Sequence, residues 1–414
     1  MKQETSKERE NKENLSVRNS GLREWLNAIV LTVGFILSYS VVALLPSHNV
    51  MKNPEFWYEA IILWLFGQAP IVSLFVIYHC KNVMKTKEIW TAKVWLLIVL
   101  GQWFVTAGLY SNQYVIWTMY LGFYQPLPHN GPIGAFSNFL VVTLSLWWLF
   151  PAKMRADPHY RQRIKAYVAY TFWYLYMVIL TFVFGQMTIP FFSSDYLWLI
   201  GLEFGLIREF NQWVMNKLIF KAAETNDFYS IGALNLQLVT LTNLTVVVFI
   251  STVADQKTTA CFIAVDFVMN SMLTLKTIRA YKRVNPREVE SERFIEMADQ
   301  LITTLIINES MELLVPIMYM ISLAIAFCGP NAGNLGNIGN SYWHFQQIDD
   351  IWTYFNGASQ MALVDLFLTG LSFLLIWKFT NIGVTKKCKD IIKSFGATAA
   401  IYLPMILNAV CRFL

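Results

Sequence analysis

The sequence predicts an all-α fold, a polytopic transmembrane helical bundle of about 10–11 spans with a cytoplasmic N-terminus. Three observations lead to this prediction. Of 414 residues, 56% are hydrophobic and only 14% are charged, whereas soluble domains are nearer one-quarter charged. Apolar runs of about 20 residues, the length that crosses a bilayer, recur along the chain. The loops between these runs alternate between many and few positive charges.

The chain begins with a polar segment, residues 1–23, which has many charges and no Phe, Tyr, Trp or Ile. This composition predicts a disordered cytoplasmic tail. The rest, residues 24–414, is predicted to form a single membrane domain. Its eleven candidate spans are 25–45, 56–79, 94–120, 132–150, 166–191, 196–216, 229–254, 259–275, 300–328, 353–380 and 394–413. The sixth and eighth spans carry ionisable residues, so nine spans remain an alternative. Short connections at 193–195 and 255–258 predict tight helical hairpins.

Lys and Arg residues test this map independently of hydropathy. Five alternate loops together hold 21 of them, and the intervening loops hold only Lys52 and Lys257. The positive-inside rule therefore places the tail and the longest connection, residues 276–299, in the cytoplasm. Within that connection, a short amphipathic helix is predicted after Pro286. The basic first half of the connection 276–299 predicts contact with anionic lipid heads.

The loop 329–352 contains no Lys or Arg and is predicted to lie on the outer side. Asn334, Asn337 and Asn340 lie in its Asn- and Gly-rich stretch, GPNAGNLGNIGN. The glycine spacing and the lack of a preceding strand exclude a nucleotide-binding loop. A compact turn-rich loop is the first interpretation, and the lining of a pore mouth is the second.

Ionisable residues inside spans are costly and mark either function or a paired structural role. One base, Arg208, falls well inside the predicted spans. Six acids accompany it: Glu203, Glu209, Asp266, Glu309, Glu312 and Asp365. At 100° per residue, polar side chains form stripes on several spans. The stripes are Arg208 with Gly201 and Gly205, Asp266 with Asn270 and Thr274, Asn308 with Glu312, and Asp365 with Thr369 and Ser372. We therefore expect these helices to meet at a shared polar interior.

Two hypotheses follow from this interior. In the first, the chain is a channel or secondary transporter for protons, cations or a small polar solute, with Glu309 and Glu312 at the centre of its path. Pro316 and Pro70 are then candidate kinks or gates. In the second, Arg208 pairs with an acid on a neighbouring helix and the polar groups only fix the packing, as in a structural or complex-organising protein. A ligand-gated receptor-channel is a further alternative.

An enzyme is not predicted, although a carboxylate-based membrane enzyme stays open. The chain has no HExxH, Walker or GxSxG motif, and its five cysteines are scattered. We therefore predict no metal site and no cofactor. The expected partners are the lipid bilayer, anionic lipid heads at the cytoplasmic basic loops and, as an open alternative, further copies in a homo-oligomer. Nucleic acid is not expected. The sequence does not distinguish the plasma membrane from an organelle membrane.

Overall fold

The computed structural model describes residues 152–183, 196–222, 228–253, 256–283, 292–328, 351–380 and 382–392. Before residue 152 it describes only positions 26, 29, 30, 33, 93, 96–101, 103, 104, 147 and 148. Every regular element within these residues is helical, and none of them forms a strand. The predicted all-α class is therefore confirmed for this part of the chain. Outside this part lie the tail 1–23, most of the length of the first four spans, and the last span.

Seven helices follow one another along the described chain. They are α1 Ala152–Ala156, α2 Pro158–Val183, α3 Leu197–Ala222, α4 Phe228–Val253, α5 Gln256–Arg283, α6 Glu292–Cys328 and α7 Ile351–Thr380. A short helix at 384–392, here α8, follows α7. The start of α2 is capped because the Asp157 carboxylate accepts a hydrogen bond from the His159 amide at 2.9 Å, and Pro158 suits the first helical position.

Three helical segments are long and apolar enough to cross a membrane: Gln256–Lys282, Leu301–Ile321 and Phe355–Thr380. They coincide with the eighth, ninth and tenth predicted spans. This agreement fits an integral membrane protein. The fifth, sixth and seventh predicted spans fall on α2, α3 and α4.

The surface of the bundle is apolar where a soluble protein would be polar. On α7, Leu363 and Phe367 are each 68% exposed, whereas Asp365 between them is 1% exposed. On α5, Met272 is exposed and Asn270 is buried. Exposed apolar faces around a polar interior suit hydrocarbon rather than water as the solvent.

The contacts fix the relative directions of four helices. Gly201 of α3 lies near Thr258 of α5, and further along both helices Arg208 lies near Asp266. These two helices are therefore parallel. The pairs Thr274–Ser372 and Lys282–Phe379 make α7 parallel to α5. Helix α6 runs the opposite way, because Ile302 and Leu305 near its start pack against the end of α7 and beyond. These directions agree with the alternation of the predicted spans.

Two features differ from expectation. Only two residues separate α4 from α5, yet α5 packs mainly on α3 and α7 while α4 packs mainly on α6 and α7. The two helices of the predicted hairpin are therefore joined by a short connection but pack mainly on other helices. The short amphipathic helix expected after Pro286 is not separate either, because it forms the first turns of α6. No Gly or Pro interrupts residues 292–315, so nothing in the sequence stops the helix there.

Candidate functional site: a buried acid cluster

Four helices, α3, α5, α6 and α7, bring charged side chains together inside the bundle. Five residues form this group, which we call the acid cluster: Arg208, Asp266, Glu309, Glu312 and Asp365, with exposures of 3%, 4%, 2%, 8% and 1%. They come from four different helices and are separated by up to 157 positions along the chain. The shared polar interior predicted from the stripes is therefore present.

Arg208 forms a buried ion pair with Asp266. Its Nη2 donates to Asp266 Oδ1, and both Nη2 and Nε donate to Glu209 Oε1, at 2.7 and 3.2 Å. The Phe262 ring lies 5.3 Å from the guanidinium carbon and adds a cation–π contact. Charge-assisted bonds of this kind are the strong ones in proteins, so this half of the cluster is held firmly.

Asn270 links the ion pair to α6. Its side-chain nitrogen donates to Asp266 Oδ2 at 3.1 Å and to Glu312 Oε2 at 3.0 Å. One amide group thus bridges two carboxyl groups on different helices. Both of its N–H donors are used by acids of the cluster, which fixes the spacing of α5 and α6.

Glu309 and Asp365 have weaker partners than Asp266. Glu309 Oε2 and Asp365 Oδ2 are buried and accept no hydrogen bond from the described part of the protein. The same holds for the Asn308 amide oxygen. A Ser372 side chain neighbours the Glu309 carboxyl, and the Thr369 hydroxyl donates to the Glu309 main-chain oxygen at 3.1 Å. Buried acceptors without donors are rare and costly.

The cluster has more acids than bases. Arg208 is in the electrostatic field of Asp266, Glu209 and Glu312, while Asp365 is in that of Asp266, Arg208 and Glu309. One guanidinium therefore faces several carboxyl groups in a medium of low dielectric constant. The single base therefore cannot form an ion pair with all of the acids at once.

Pro316 lies inside α6, one turn after Glu312. Proline has no amide hydrogen, so the Glu312 carbonyl lacks its usual helical donor. The acid cluster is thus next to a weakened turn of the helix that carries two of its five residues, Glu309 and Glu312.

An apolar cluster borders the acid cluster on the side of the α6 N-terminus. Its buried members, which we call the apolar plug, are Ile302, Leu305, Ile306 and Ile376. Tyr281, Phe373 and residues of α8, including Val384 and Cys388, pack around them. The first turn beyond Ile306 carries Glu309. The plug thus lies between the acid cluster and the N-terminus of α6.

The other predicted residues occupy different positions. Glu209 lies at the edge of the cluster, 20% exposed, whereas Glu203 is exposed on another face of α3, away from the cluster. Asn308 and Pro316 are buried in α6. Pro70, Asn334, Asn337 and Asn340 lie outside the described residues.

Sequence reasoning did not select four residues that the structure adds to the site: Asn270, Thr274, Thr369 and Ser372. Thr274 and Ser372 hydroxyls are 3.3 Å apart between α5 and α7. All four belong to the stripes noted in the sequence, so their spacing from Asp266 and Asp365 was a usable signal.

The comparisons with known proteins return no relative. No protein-family model, no curated protein and no solved structure matches the chain. Within the described residues, no three His, Cys, Asp or Glu side chains come close enough to hold a metal ion. The functional argument therefore depends on the geometry of the acid cluster.

Proposed function

We propose that the chain is a multi-pass integral membrane transport protein with about ten or eleven spans and an inside N-terminus. It moves protons, cations or a small polar solute along a path that runs through the acid cluster. The observation that carries this proposal is the burial of Asp266, Glu309, Glu312 and Asp365 in an apolar bundle together with one base, Arg208, which forms an ion pair with only the first of them.

The excess of acid is difficult to explain by packing alone. A buried charge without a partner is strongly destabilising, and Arg208 satisfies Asp266 together with Glu209. The remaining carboxyl groups need positive charge from another source. A transported proton or cation, or a solute that donates hydrogen bonds, would supply it each time it passes.

In this proposal the apolar plug is a gate. The apolar plug separates the acid cluster from the α6 N-terminus, which the charge distribution assigns to the cytoplasmic side. Hydrophobic constrictions act as gates in many transport proteins. Separation of α6 from α7 at Ile306 and Ile376 would open the path, and the weakened turn at Pro316 is a place where α6 can bend.

The proposal is tested by flux into proteoliposomes. Wild type, the double variant Glu309→Gln with Glu312→Gln, and the control Glu203→Gln are reconstituted at equal density, and proton and monovalent-cation flux are followed with entrapped dyes. We expect flux in wild type and control, and its loss in a double variant that still elutes as a folded species. Normal flux in the folded double variant would remove the acid path from the proposal.

A structural role is the second candidate, favoured by the Asp266–Arg208–Glu209 contacts and the Asn270 bridge. It predicts that the double variant fails to fold and that wild type moves no ion. In that event, a screen of small polar solutes with wild type separates a solute transporter from a structural protein.

A further inference from the structure

The acid cluster has two unequal halves. Asp266 receives hydrogen bonds from both Arg208 and Asn270, so its charge is satisfied. Glu309 and Asp365 each keep a buried oxygen that accepts no bond within the described residues. Both side chains are almost completely buried, at 2% and 1% exposure. The two halves therefore differ in what they lack: the second needs hydrogen-bond donors, whereas in the first Arg208 Nη1 is a buried donor without an acceptor in the described part of the protein.

We propose that Glu309 and Asp365 bind an exchangeable proton, while Asp266 and Arg208 keep their ion pair. The identification of this proton as the transported or coupling ion rests on the proposed function. The binding of the proton at these two side chains does not.

A proton fits the geometry better than a metal ion. Metal sites need several ligands around one point, and the acids of the described residues do not provide such a group. A proton needs a single oxygen. When it binds, a carboxylate becomes a hydroxyl-bearing acid, which removes one negative charge and converts an acceptor without a donor into a donor.

The charged groups around Glu309 and Asp365, here called the pair, favour one bound proton over none. From α3 Arg208, which also binds Glu209, is near Asp365. From α5 Asp266 is near both acids, and from α6 so is Glu312. Helix α4, which also packs on α6 and α7, has no Asp, Glu, Lys, Arg or His. Among the described residues, the acids around the two side chains outnumber the one base, Arg208, and each bound proton reduces the repulsion.

The first test is chemical and uses wild type only. Dicyclohexylcarbodiimide, an apolar reagent, modifies buried carboxyl groups in their protonated form, and mass spectrometry locates the product. We expect modification of Glu309 or Asp365 that decreases as the pH is raised, with Asp266 at least about tenfold less modified. Equal modification of Asp266, or no pH-dependent modification of the pair, would overturn the proposal.

The second test is spectroscopic. Infrared difference spectra of the purified protein at stepped pH show the C=O stretch of protonated acids. A titrating band should be present in wild type and in Glu203→Gln, and it should be lost or shifted in Glu309→Gln and in Asp365→Asn. These amides imitate the neutral acid in size, so we expect the variants to fold. A band unchanged in both folded variants would contradict the proposal.

Flux measurements separate this inference from the proposed function. A titrating Glu309–Asp365 band without any flux supports the proton site and contradicts transport. Flux that persists at wild-type level in both folded variants supports transport and contradicts the identification of this proton as the transported or coupling ion. If sodium ions at constant pH abolish the band and sodium is the ion that moves, the site binds sodium and the proton assignment is wrong.

Discussion

Gly201 of α3 lies directly against the main chain of Thr258 at the start of α5. A methyl group at Gly201 would be 2.9 Å from both the Thr258 carbonyl oxygen and its Cγ2 atom. One turn later, Gly205 similarly faces Val265 at 3.0 Å. This close approach of two parallel helices brings Arg208 within reach of Asp266, as small-residue spacing does in other membrane bundles.

We therefore expect Gly201→Ala to destabilise the bundle by about 1–3 kcal/mol, because backbone atoms must move to admit the methyl group. Gly370→Ala on α7 is the matched control. No atom lies within 4 Å of its added carbon, and replacing a helical glycine stabilises by about 0.5–1 kcal/mol. Unfolding in a fixed detergent by thermal or denaturant titration measures both. Equal effects of the two variants would show that α3 and α5 do not approach closely.

Removal of the cation should be the most damaging single change in the cluster. Arg208→Gln leaves Asp266 and Glu209 without their partner, and we expect a loss of about 3–5 kcal/mol in the free energy of unfolding. Adding Asp266→Asn to this variant removes the carboxylate that has lost its partner. The double variant should then lose less than the sum of the two single variants, by about 1–3 kcal/mol.

The exposed Lys217, which stacks on Trp213 at 3.5 Å, is the control for loss of a positive charge. Lys217→Gln should cost under about 1 kcal/mol. Additive effects of Arg208→Gln and Asp266→Asn would mean that the ion pair contributes no coupling energy.

The apolar plug should contribute to stability through its packing. Ile376 is fully buried, whereas Leu374 two residues earlier is 60% exposed. We expect Ile376→Ala to cost about 2–5 kcal/mol, because it removes buried methylene groups and leaves a cavity. Leu374→Ala should cost less than about 1 kcal/mol. The same unfolding titration compares them, and similar losses would place Ile376 outside the core.

The predicted orientation can be tested by glycosylation. Tyr342→Thr completes the glycosylation sequon Asn-Ser-Thr at Asn340 in the loop 329–352. Pro286→Ala with Arg287→Ser completes a sequon at Asn285 in the connection 276–299. Only a sequon on the outer or lumenal side receives a glycan. We expect a mass shift, removable by a glycosidase, for the first variant and none for the second. The reverse pattern would invert the topology.

Cys388 on α8 provides a pH-dependent probe outside the spans. Burial raises the pKa of this thiol, which therefore stays protonated at neutral pH. Since the thiolate is the reactive form, site-resolved alkylation should be slow at neutral pH and should accelerate as the pH rises through that raised value. In the unfolded chain the thiol regains its ordinary pKa. The unfolded chain should therefore react faster than the folded protein at every pH below the raised pKa. The unfolded state then releases the proton first, so Cys388 contributes stability at neutral pH that declines in alkali.

The polar face of each helix was predictable from the sequence, because a single helix obeys a 100° rotation per residue. Asp266, Asn270 and Thr274 were expected on one face of α5, and all three are buried. The choice of partner helix was not predictable in this way. Asp266 pairs with a residue 58 positions earlier, although α4 lies between them in the chain. Proximity in sequence favoured the α4–α5 hairpin, whereas the small residues of α3 allowed a closer approach and better packing.

The same reasoning explains which acids separate from the cluster. Glu203 and Arg208 differ by 500° of rotation, or 140° after one full turn, so they face different sides of α3. The sequence could identify this difference in direction. It could not show which of Glu309, Glu312 and Asp365 lacks a donor, because that depends on where Asn270 of another helix reaches.

The separation of Arg208 from Asp266 also has a consequence for synthesis. At about 5–20 residues per second, a ribosome needs roughly 3–12 s to extend the chain from Arg208 to Asp266. During that interval α3 reaches its end at Ala222, and its arginine has no contact with α5. Glu209, made immediately afterwards, already binds the same guanidinium. Because this contact lies within α3, it does not depend on α5 and can form as soon as α3 is folded.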